Sequence, residues 1–133
     1  MLRRGYDHYN RTGEPDYSLL DPDVVYDVSR RVFDPEVYRG HEGVREFTRL
    51  LREQWETIRV EPQDFIVAGD DVVVVPVRLV GVGKQSGAET TANAAHLWTF
   101  RGGKVIRQTT FQTRAKALEA AGLSDQDIRA DSP

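Results

Sequence analysis

The stretch that decides the fold is Glu89-Thr90-Thr91-Ala92-Asn93-Ala94-Ala95-His96-Leu97-Trp98-Thr99-Phe100-Arg101-Gly102-Gly103-Lys104-Val105. It predicts a long strand from Glu89 to Arg101 that turns back at Gly102-Gly103, because glycine readily adopts the positive φ angles of a tight hairpin turn. A last strand then follows from Val105 to Thr113. Side chains alternate between the two faces of a strand, so Ala92, Ala94, His96, Trp98 and Phe100 share one face. Small residues, one histidine and two large aromatic residues on one face predict a pocket wall with a titratable group inside.

Two more strands precede this hairpin. Phe65-Ile66-Val67-Ala68 ends at the turn Gly69-Asp70-Asp71, and Val72 to Val82 is a long, valine-rich strand. Arg78 and Pro76 mark the outward face of the second of these strands. Its apolar face, which we expect to line the pocket, carries Val73, Val75, Val77 and Leu79.

The first half of the chain predicts helices and one strand. A short helix over residues 2–12 ends at Gly13 and Pro15, a second short helix runs through Tyr17 and Leu20, and a strand covers residues 24–28. The best helix covers residues 42–57, because its apolar residues recur at steps of three and four. These residues are Val44, Phe47, Leu51, Trp55 and Ile58. Another short helix spans residues 115–121.

Helices first and a meander of strands last predict the α+β class. The long helix must bury its apolar stripe, and the concave face of the sheet is the surface available to it. One helix cannot cover a long, strongly bent sheet from end to end, so we expect the uncovered end to form a pocket.

The composition sets limits on function. The 133 residues suit one domain, which we place at residues 1–123 with a polar tail at 124–133. A net charge of −3 gives no case for nucleic acid or membrane binding, and the absence of cysteine excludes disulfides and thiolate chemistry. No apolar run spans a membrane and no signal peptide is evident, so we expect a cytoplasmic protein. His8, His41 and His96 are too dispersed to suggest a metal site, and we expect no cofactor.

Five segments between residues 2 and 123 carry a family resemblance. They are Leu20-Asp21-Pro22-Asp23-Val24, Tyr38-Arg39-Gly40-His41-Glu42-Gly43-Val44, Ser86-Gly87-Ala88-Glu89, His96 to Val105, and Ala117-Leu118-Glu119-Ala120-Ala121-Gly122-Leu123. The chain resembles the SnoaL-like branch of the nuclear-transport-factor-2-like (NTF2-like) superfamily, which includes the ketosteroid isomerases. The resemblance implies a cone-shaped α+β barrel: a strongly curved antiparallel sheet wrapped around a long helix, with a pocket at the open end. It also implies a homodimer through the outer face of the sheet.

The resemblance suggests three catalytic residues, each with a structural alternative. His96 falls where an isomerase places its oxyanion-hole aspartic acid, and it is otherwise a satisfied core histidine. Asp27 matches the segment with the general base, although Val28 replaces the usual proline, and it otherwise pairs with Arg30 or Arg31. Tyr6 falls, in one of two registers, on the tyrosine that donates to the oxyanion, and it is otherwise a core residue.

The last strand departs from two groups of relatives. Cyclase-type relatives carry a His-Trp-Asp-like run where this chain has Gln108-Thr109-Thr110, and epoxide-hydrolase relatives need Arg-x-Asp where it has Arg78-Leu79-Val80. Gln108, Thr110 and Gln112 instead offer amide and hydroxyl groups on one face of the strand, where we expect them to orient a polar group of a ligand.

Two classes of function follow. The first is a cofactor-independent isomerase or cyclase that acts on a small apolar carbonyl compound, with Asp27 as base and His96 and Tyr6 as oxyanion donors. The second is a binding module for a small apolar molecule, or a structural dimer, in which the pocket has no catalytic role. The position of Asp27 distinguishes them: a carboxylate that shares the pocket with His96 favours chemistry, and an ion pair with Arg30 or Arg31 counts against it.

Overall fold

The computed structural model describes residues 1–30 and 36–123, so the polar tail and Arg31 lie outside the described residues. The helices in this part of the chain are α1 (Leu2–Thr12), α2 (Gly40–Gln54) and α3 (Arg114–Ala120), with a 3-10 helix at Tyr17–Leu19. The strands are β1 (Leu20–Asp27), β2 (Val37–Arg39), β3 (Trp55–Pro62), β4 (Ile66–Val67), β5 (Val72–Gly83), β6 (Glu89–Arg101) and β7 (Lys104–Phe111).

All of these strands belong to one sheet, in the order β2-β1-β7-β6-β5-β3, with β4 paired to β5. The α+β class is confirmed, but the sheet is mixed rather than wholly antiparallel, because β1 pairs with β7 in parallel. A parallel pair needs a long connection between its strands, and the elements from β2 to β6 supply it.

The hairpin between β6 and β7 forms as the sequence predicts. Arg101 pairs with Lys104, and Gly102 and Gly103 have φ angles of 58° and 77°. On the other side of β6, Val75 pairs with His96. This register brings the apolar face of β5 and the His96 face of β6 to the same side of the sheet.

The sheet buries residues on both faces. On the concave face, Val44 of α2 packs with Tyr26 and Val75 in the larger core. On the convex face, Leu118 of α3 packs with Val74 in a smaller core, together with Ala95, Phe111 and Ala117. On the concave face, α2 lies mainly against β1, β2 and β3, and a pocket forms beside it.

The boundary between α2 and β3 differs from the prediction. The helix expected over residues 42–57 ends at Gln54, and Trp55–Pro62 is a strand that pairs with β5. An irregularity in the pairing between Trp55 and Thr57 explains the misleading pattern, because a bulged strand also places apolar residues three apart. The short strand β2 was not predicted, and β4 is shorter than the expected strand over residues 65–68.

Among the helices of the described residues, none is long and apolar enough to cross a membrane. The longest of them, α2, has 15 residues and also carries charged side chains such as Arg45, Glu46 and Arg49.

Candidate functional site

A pocket of about 340 Å³ lies between α1, α2 and the concave face of the sheet. Most of its lining is apolar or aromatic, as is usual for a site that encloses a small molecule. Residues from several elements form this wall, among them Tyr9, Tyr26, Phe47, Leu51, Trp55 and Leu79. The polar residues within it are few, so each of them has a large effect on what the pocket can bind.

The central polar feature of the pocket is a chain of three side chains. Tyr6 Oη lies 2.7 Å from His96 Nδ1, and Trp98 Nε1–H donates to Tyr6 Oη over 2.9 Å. The Tyr6 and His96 rings are nearly parallel, with 3° between their planes, and the Trp98 ring is nearly perpendicular to both. All three side chains are buried and all three line the pocket.

The hydrogen bonds of this chain assign the tautomer of His96. Because Trp98 can only donate, Tyr6 Oη accepts its bond, and the tyrosine hydroxyl proton needs an acceptor of its own. His96 Nδ1 is the acceptor within reach, and a buried hydroxyl proton without a partner would be costly. Tyr6 therefore donates to Nδ1, and His96 carries its own proton on Nε2. No other hydrogen bond to the His96 imidazole is found within residues 1–30 and 36–123, so its Nε2–H is available to a ligand.

His96 and the buried tyrosines of the pocket are uncharged at neutral pH. Burial lowers the pKa of His96 from 6.5 to about 4, so the imidazole is neutral. Burial likewise raises the pKa values of Tyr6, Tyr9 and Tyr26 above the usual range for tyrosine. Asp16, the one carboxylate among the lining residues, accepts hydrogen bonds from the exposed Ser18 at the N-terminus of the 3-10 helix.

A second polar pair lies beside His96 on the neighbouring strand. Thr110 of β7 pairs directly with His96 of β6, and Gln108 pairs with Trp98. The Thr110 hydroxyl donates to Gln108 Oε1 over 3.0 Å. Both residues line the pocket, as predicted for this face of the last strand, and Gln108 is only 5% exposed.

The position of Tyr6 depends on a residue that sequence reasoning missed. Asn10, one turn after Tyr6 in α1, donates from Nδ2 to the carbonyl of Val60 and accepts at Oδ1 from the Val60 N–H, both over 2.8 Å. Its amide thus pairs with the free edge of β3 in the way a neighbouring strand would. Arg52 of α2 also holds the end of α1 through Glu14, over 3.0 Å. The signal in the sequence is an amide four residues after Tyr6, on the same side of the helix.

Asp27 lies outside the pocket, contrary to the prediction that it shares the pocket with His96. Its neighbours Tyr26 and Val28 line the pocket, whereas its own carboxylate pairs with Arg30 over 3.2 Å and with Arg107 over 2.5 Å. Arg30 also stacks on Phe111, a residue of the convex core, which places this cluster on the outer side of the sheet.

The electrostatics of Asp27 also argue against a role as base. Burial raises its pKa, but the hydrogen bonds from Ser29 and from the Arg107 guanidinium outweigh that effect and hold the pKa below its usual value. A base of this kind would need a raised pKa and access to the ligand, and Asp27 has neither.

Five residues predicted to line the pocket do not contact it. Val75 and Val77 are fully buried in the concave core, and Val73 and Phe100 pack against that core. Gln112 is exposed, and its Nε2 donates to the carbonyl of Arg30 over 2.9 Å. Of the predicted lining residues, Trp98, Gln108 and Thr110 are in the pocket wall.

Gly81 of β5 shapes the pocket in a way the sequence did not indicate. It pairs with Ile58 of β3, and a Cβ atom on Gly81 would lie 2.7 Å from the Trp55 ring. The absence of a side chain at this position therefore allows Trp55 to lie flat against the strand and form part of the wall.

Within the described part of the chain, no three His, Asp or Glu side chains come together as they would to hold a metal ion. The polar groups that the pocket wall offers a ligand include the imidazole of His96 and the amide of Gln108.

A curved sheet around one long helix, with an enclosed pocket at the end, defines the NTF2-like class of α+β proteins. The family model of the SnoaL-like domain matches residues 3–108, and the chain belongs to this family. No protein of curated function matches the sequence significantly.

Three solved structures illustrate the likeness. An NTF2-like protein of unknown function from Burkholderia pseudomallei K96243 is 20% identical, with a TM-score of 0.72 over 93% of this chain and 94% of that one. TerC, co-crystallised with polyporic acid, is 25% identical, with a TM-score of 0.72 over 91% and 95%. A putative SnoaL-like polyketide cyclase from Jannaschia sp. CCS1 is 23% identical, with a TM-score of 0.68 over 90% and 87%. The first and third of these likenesses show the fold alone.

Proposed function

We propose that the pocket binds a small, mostly apolar compound through a carbonyl or enolate oxygen that accepts a hydrogen bond from His96 Nε2–H. The observation that carries this proposal is the chain Trp98–Tyr6–His96, which ends in an apolar pocket at a buried donor with no partner among the described residues. A ligand oxygen at this donor would satisfy it, while the aromatic walls would hold the rest of the ligand.

The comparisons support a ligand of this general kind. TerC, which is similar along most of its length, was crystallised with polyporic acid, so a fold of this type accommodates an organic ligand. The chain belongs to the SnoaL-like family, and one similar structure is described as a putative SnoaL-like polyketide cyclase.

A catalytic role is the second candidate, and the neutral state of His96 favours it. A neutral imidazole that donates a hydrogen bond can stabilise negative charge as it develops on a carbonyl oxygen, which is the step that isomerases and cyclases require. Asp27 is not the base in this version, because it is ion-paired on the other side of the sheet. The reaction would then depend on water or on a basic group of the substrate to accept the proton.

The first experiment measures binding. Polyporic acid and 9-fluorenone are titrated into the protein and followed by the fluorescence of the two tryptophans, one of which, Trp98, lines the pocket beside His96. We expect saturable binding that weakens by about tenfold in His96→Asn, because one hydrogen bond to the ligand is lost. The proposal would be contradicted if neither probe binds, or if His96→Asn binds them as tightly as the wild type does.

The second experiment separates catalysis from binding. β-Tetralone has acidic C–H groups next to its carbonyl, and their exchange in D₂O is followed by proton NMR. An enzyme would accelerate the exchange, and His96→Asn would remove the acceleration. Binding of β-tetralone without any acceleration would assign the protein to the class of non-catalytic binding modules.

A further inference from the structure

The two polar side chains at the end of the pocket share an unusual property: each has its acceptor atom occupied by a neighbour. His96 Nδ1 is 2.7 Å from the Tyr6 hydroxyl, and Gln108 Oε1 accepts from the Thr110 hydroxyl over 3.0 Å. What remains for a ligand is Nε2–H of His96 and the amide N–H₂ of Gln108, neither of which has a hydrogen-bond partner in the described residues. Both side chains are at least nine-tenths buried, at 9% and 5% exposure.

The strand register places these donors side by side. His96 and Gln108 lie on adjoining strands and are diagonal neighbours on the concave face, since His96 pairs with Thr110 and Gln108 pairs with Trp98. Among the described residues that line the pocket there is no Lys or Arg, the carboxylate of Asp16 bonds to the exposed Ser18, and Asp27 lies on the outer face. The two groups therefore form one donor surface.

We infer that Tyr6 and Thr110 are positioning residues that turn the donors of His96 and Gln108 toward the ligand, so that this end of the pocket favours ligands that present two acceptor oxygens. The ligand class is an apolar dicarbonyl compound, such as a quinone or a diketone, in preference to the corresponding alcohol. An alcohol at this surface must place its hydroxyl proton on an oxygen that already takes part in a hydrogen bond, such as Gln108 Oε1 or the Thr110 hydroxyl, whereas a carbonyl oxygen brings no proton. The ligand preference rests on the proposed function, whereas the orientation of His96 and Gln108 does not.

The first measurement needs no ligand. Protein with ¹⁵N-labelled histidine is examined by long-range ¹H–¹⁵N NMR, and the His96 signals are assigned by comparison with His96→Asn. We expect an unprotonated Nδ1 and a protonated Nε2 in the wild-type chain, and a mixture of the two tautomers in Tyr6→Phe. A proton on Nδ1 in the wild type would overturn the inference, whatever the pocket binds.

The second measurement compares matched ligands. 9-Fluorenone and 9-fluorenol share one carbon skeleton, and we expect the ketone to bind about tenfold more tightly. 9,10-Phenanthrenequinone, with two adjacent carbonyl groups, should bind more tightly than fluorenone, and Gln108→Leu should remove that advantage. Equal affinity for the ketone and the alcohol would overturn the inference.

The variants test the orienting hydrogen bonds through the ratio of the two affinities, which a general loss of stability would not change selectively. Thr110→Val and Tyr6→Phe should bring the ketone-to-alcohol ratio close to one, since the freed acceptor atoms can then receive a hydroxyl proton. The controls are Thr109→Val, the same change on the opposite face of β7, and Tyr17→Phe, which removes a hydroxyl outside the pocket wall. The controls should keep the wild-type ratio.

The outcomes separate the two proposals. Binding of all probes without the ketone preference would overturn the inferred donor surface and leave the proposed function intact. Failure of every probe to bind would overturn the proposed function, and the tautomer of His96 would still decide the orientation. If Tyr6→Phe does not fold, Thr110→Val alone carries the affinity test.

Discussion

His96 links the stability of the fold to pH, because burial disfavours its charged form. Its pKa is about 4 in the folded chain and 6.5 as an isolated group. The unfolded chain therefore takes up a proton that the folded chain resists, so stability is complete above pH 6.5 and falls as the pH is lowered to about 4. The full loss amounts to about 3 kcal/mol, from the difference between the two pKa values.

The prediction is checked by urea unfolding of the wild type and His96→Asn between pH 7 and pH 4.5. The variant keeps an oxygen near the position of Nδ1 for Tyr6 but has no titrating group. It should therefore lose less stability with acid than the wild type does. Asp27 does not obscure this window, because its lowered pKa places its own loss of stability below pH 3.8. Parallel pH profiles for the two proteins would contradict the assignment.

Asp27 is predicted to matter for stability and not for binding. Asp27→Asn removes the charge that holds Arg30 and Arg107 and weakens the bonds from Ser29, so we expect a loss of about 2 to 3 kcal/mol in the free energy of unfolding. The affinity for 9-fluorenone should stay within twofold of the wild type, because the side chain is outside the pocket. A selective loss of binding or of β-tetralone exchange, in a variant that remains folded, would restore Asp27 as a functional residue.

Sequence reasoning located pocket residues where alternation along a strand was enough. The two-residue period brought Trp98, Gln108 and Thr110 to the correct face, and they line the pocket. Sequence reasoning also indicated Arg30 as a partner of Asp27, which the structure confirms. It could not show the second partner, because Arg107 is distant in the chain and reaches Asp27 only through the parallel pairing of β1 with β7. It also could not show that Tyr6 donates to His96, since the positions of two elements in space decide that contact.

At the scale of elements, the Asn10 amide joins α1 to the edge of β3 through two hydrogen bonds. Asn10→Asp keeps the shape of the side chain but replaces the N–H₂ group that donates to Val60 with an acceptor, and it brings a negative charge next to a carbonyl oxygen. We expect a loss of about 1 to 2 kcal/mol in stability. Because α1 carries Tyr6, we also expect faster amide hydrogen exchange in α1 and a weaker affinity for 9-fluorenone.

The control for this prediction is Gln85→Glu, the same change from amide to carboxylate at an exposed position in the turn between β5 and β6. It should leave exchange in α1 and ligand affinity unchanged. Equal effects of the two variants would show that charge alone, and not the contact with Val60, accounts for the result.

The elements themselves were predictable where pattern and turn chemistry agreed. The strands β5 and β6 and the glycine turn after Arg101 are close to the predicted bounds. The end of α2 was not, because the apolar residues Trp55 and Ile58 continue the helical spacing into a strand. Pairing with β5 decides the structure there, and propensity along the chain does not contain that information.

At the scale of the whole molecule, the outer face of the sheet has two different halves. The helix α3 covers the half with Val74 and Phe111, whereas the half with Arg78 and Asn93 is open. The homodimer expected through this face would use the open half.

We predict that light scattering coupled to size-exclusion chromatography gives twice the mass of the chain. Val80→Asp, which places a charge in the open half, should give the mass of one chain. The control is Val67→Asp, an exposed valine of β4 near the other end of β5, which should not change the wild-type mass. A single-chain mass for the wild type would contradict the dimer.

The pocket could be predicted from surface area, because a single helix cannot cover a long curved sheet. The depth and the opening of the pocket could not be predicted in this way. The part that α1 plays depends on how Asn10 meets the edge of β3, and the space beside Trp55 depends on the missing side chain of Gly81. Both are contacts between elements that follow no period in the sequence.

The contact between Asn10 and Val60 has a consequence for solubility. β3 is an outer strand of the sheet, and its free N–H and C=O groups would invite a strand of another molecule to add to it. The Asn10 amide occupies these groups at Val60, so the helix that closes the pocket also protects the edge. If α1 detached, the pocket would open and the unpaired N–H and C=O groups of β3 would be exposed at the same time. Ligands that hold α1 in place should therefore slow aggregation, and Asn10→Asp should accelerate it.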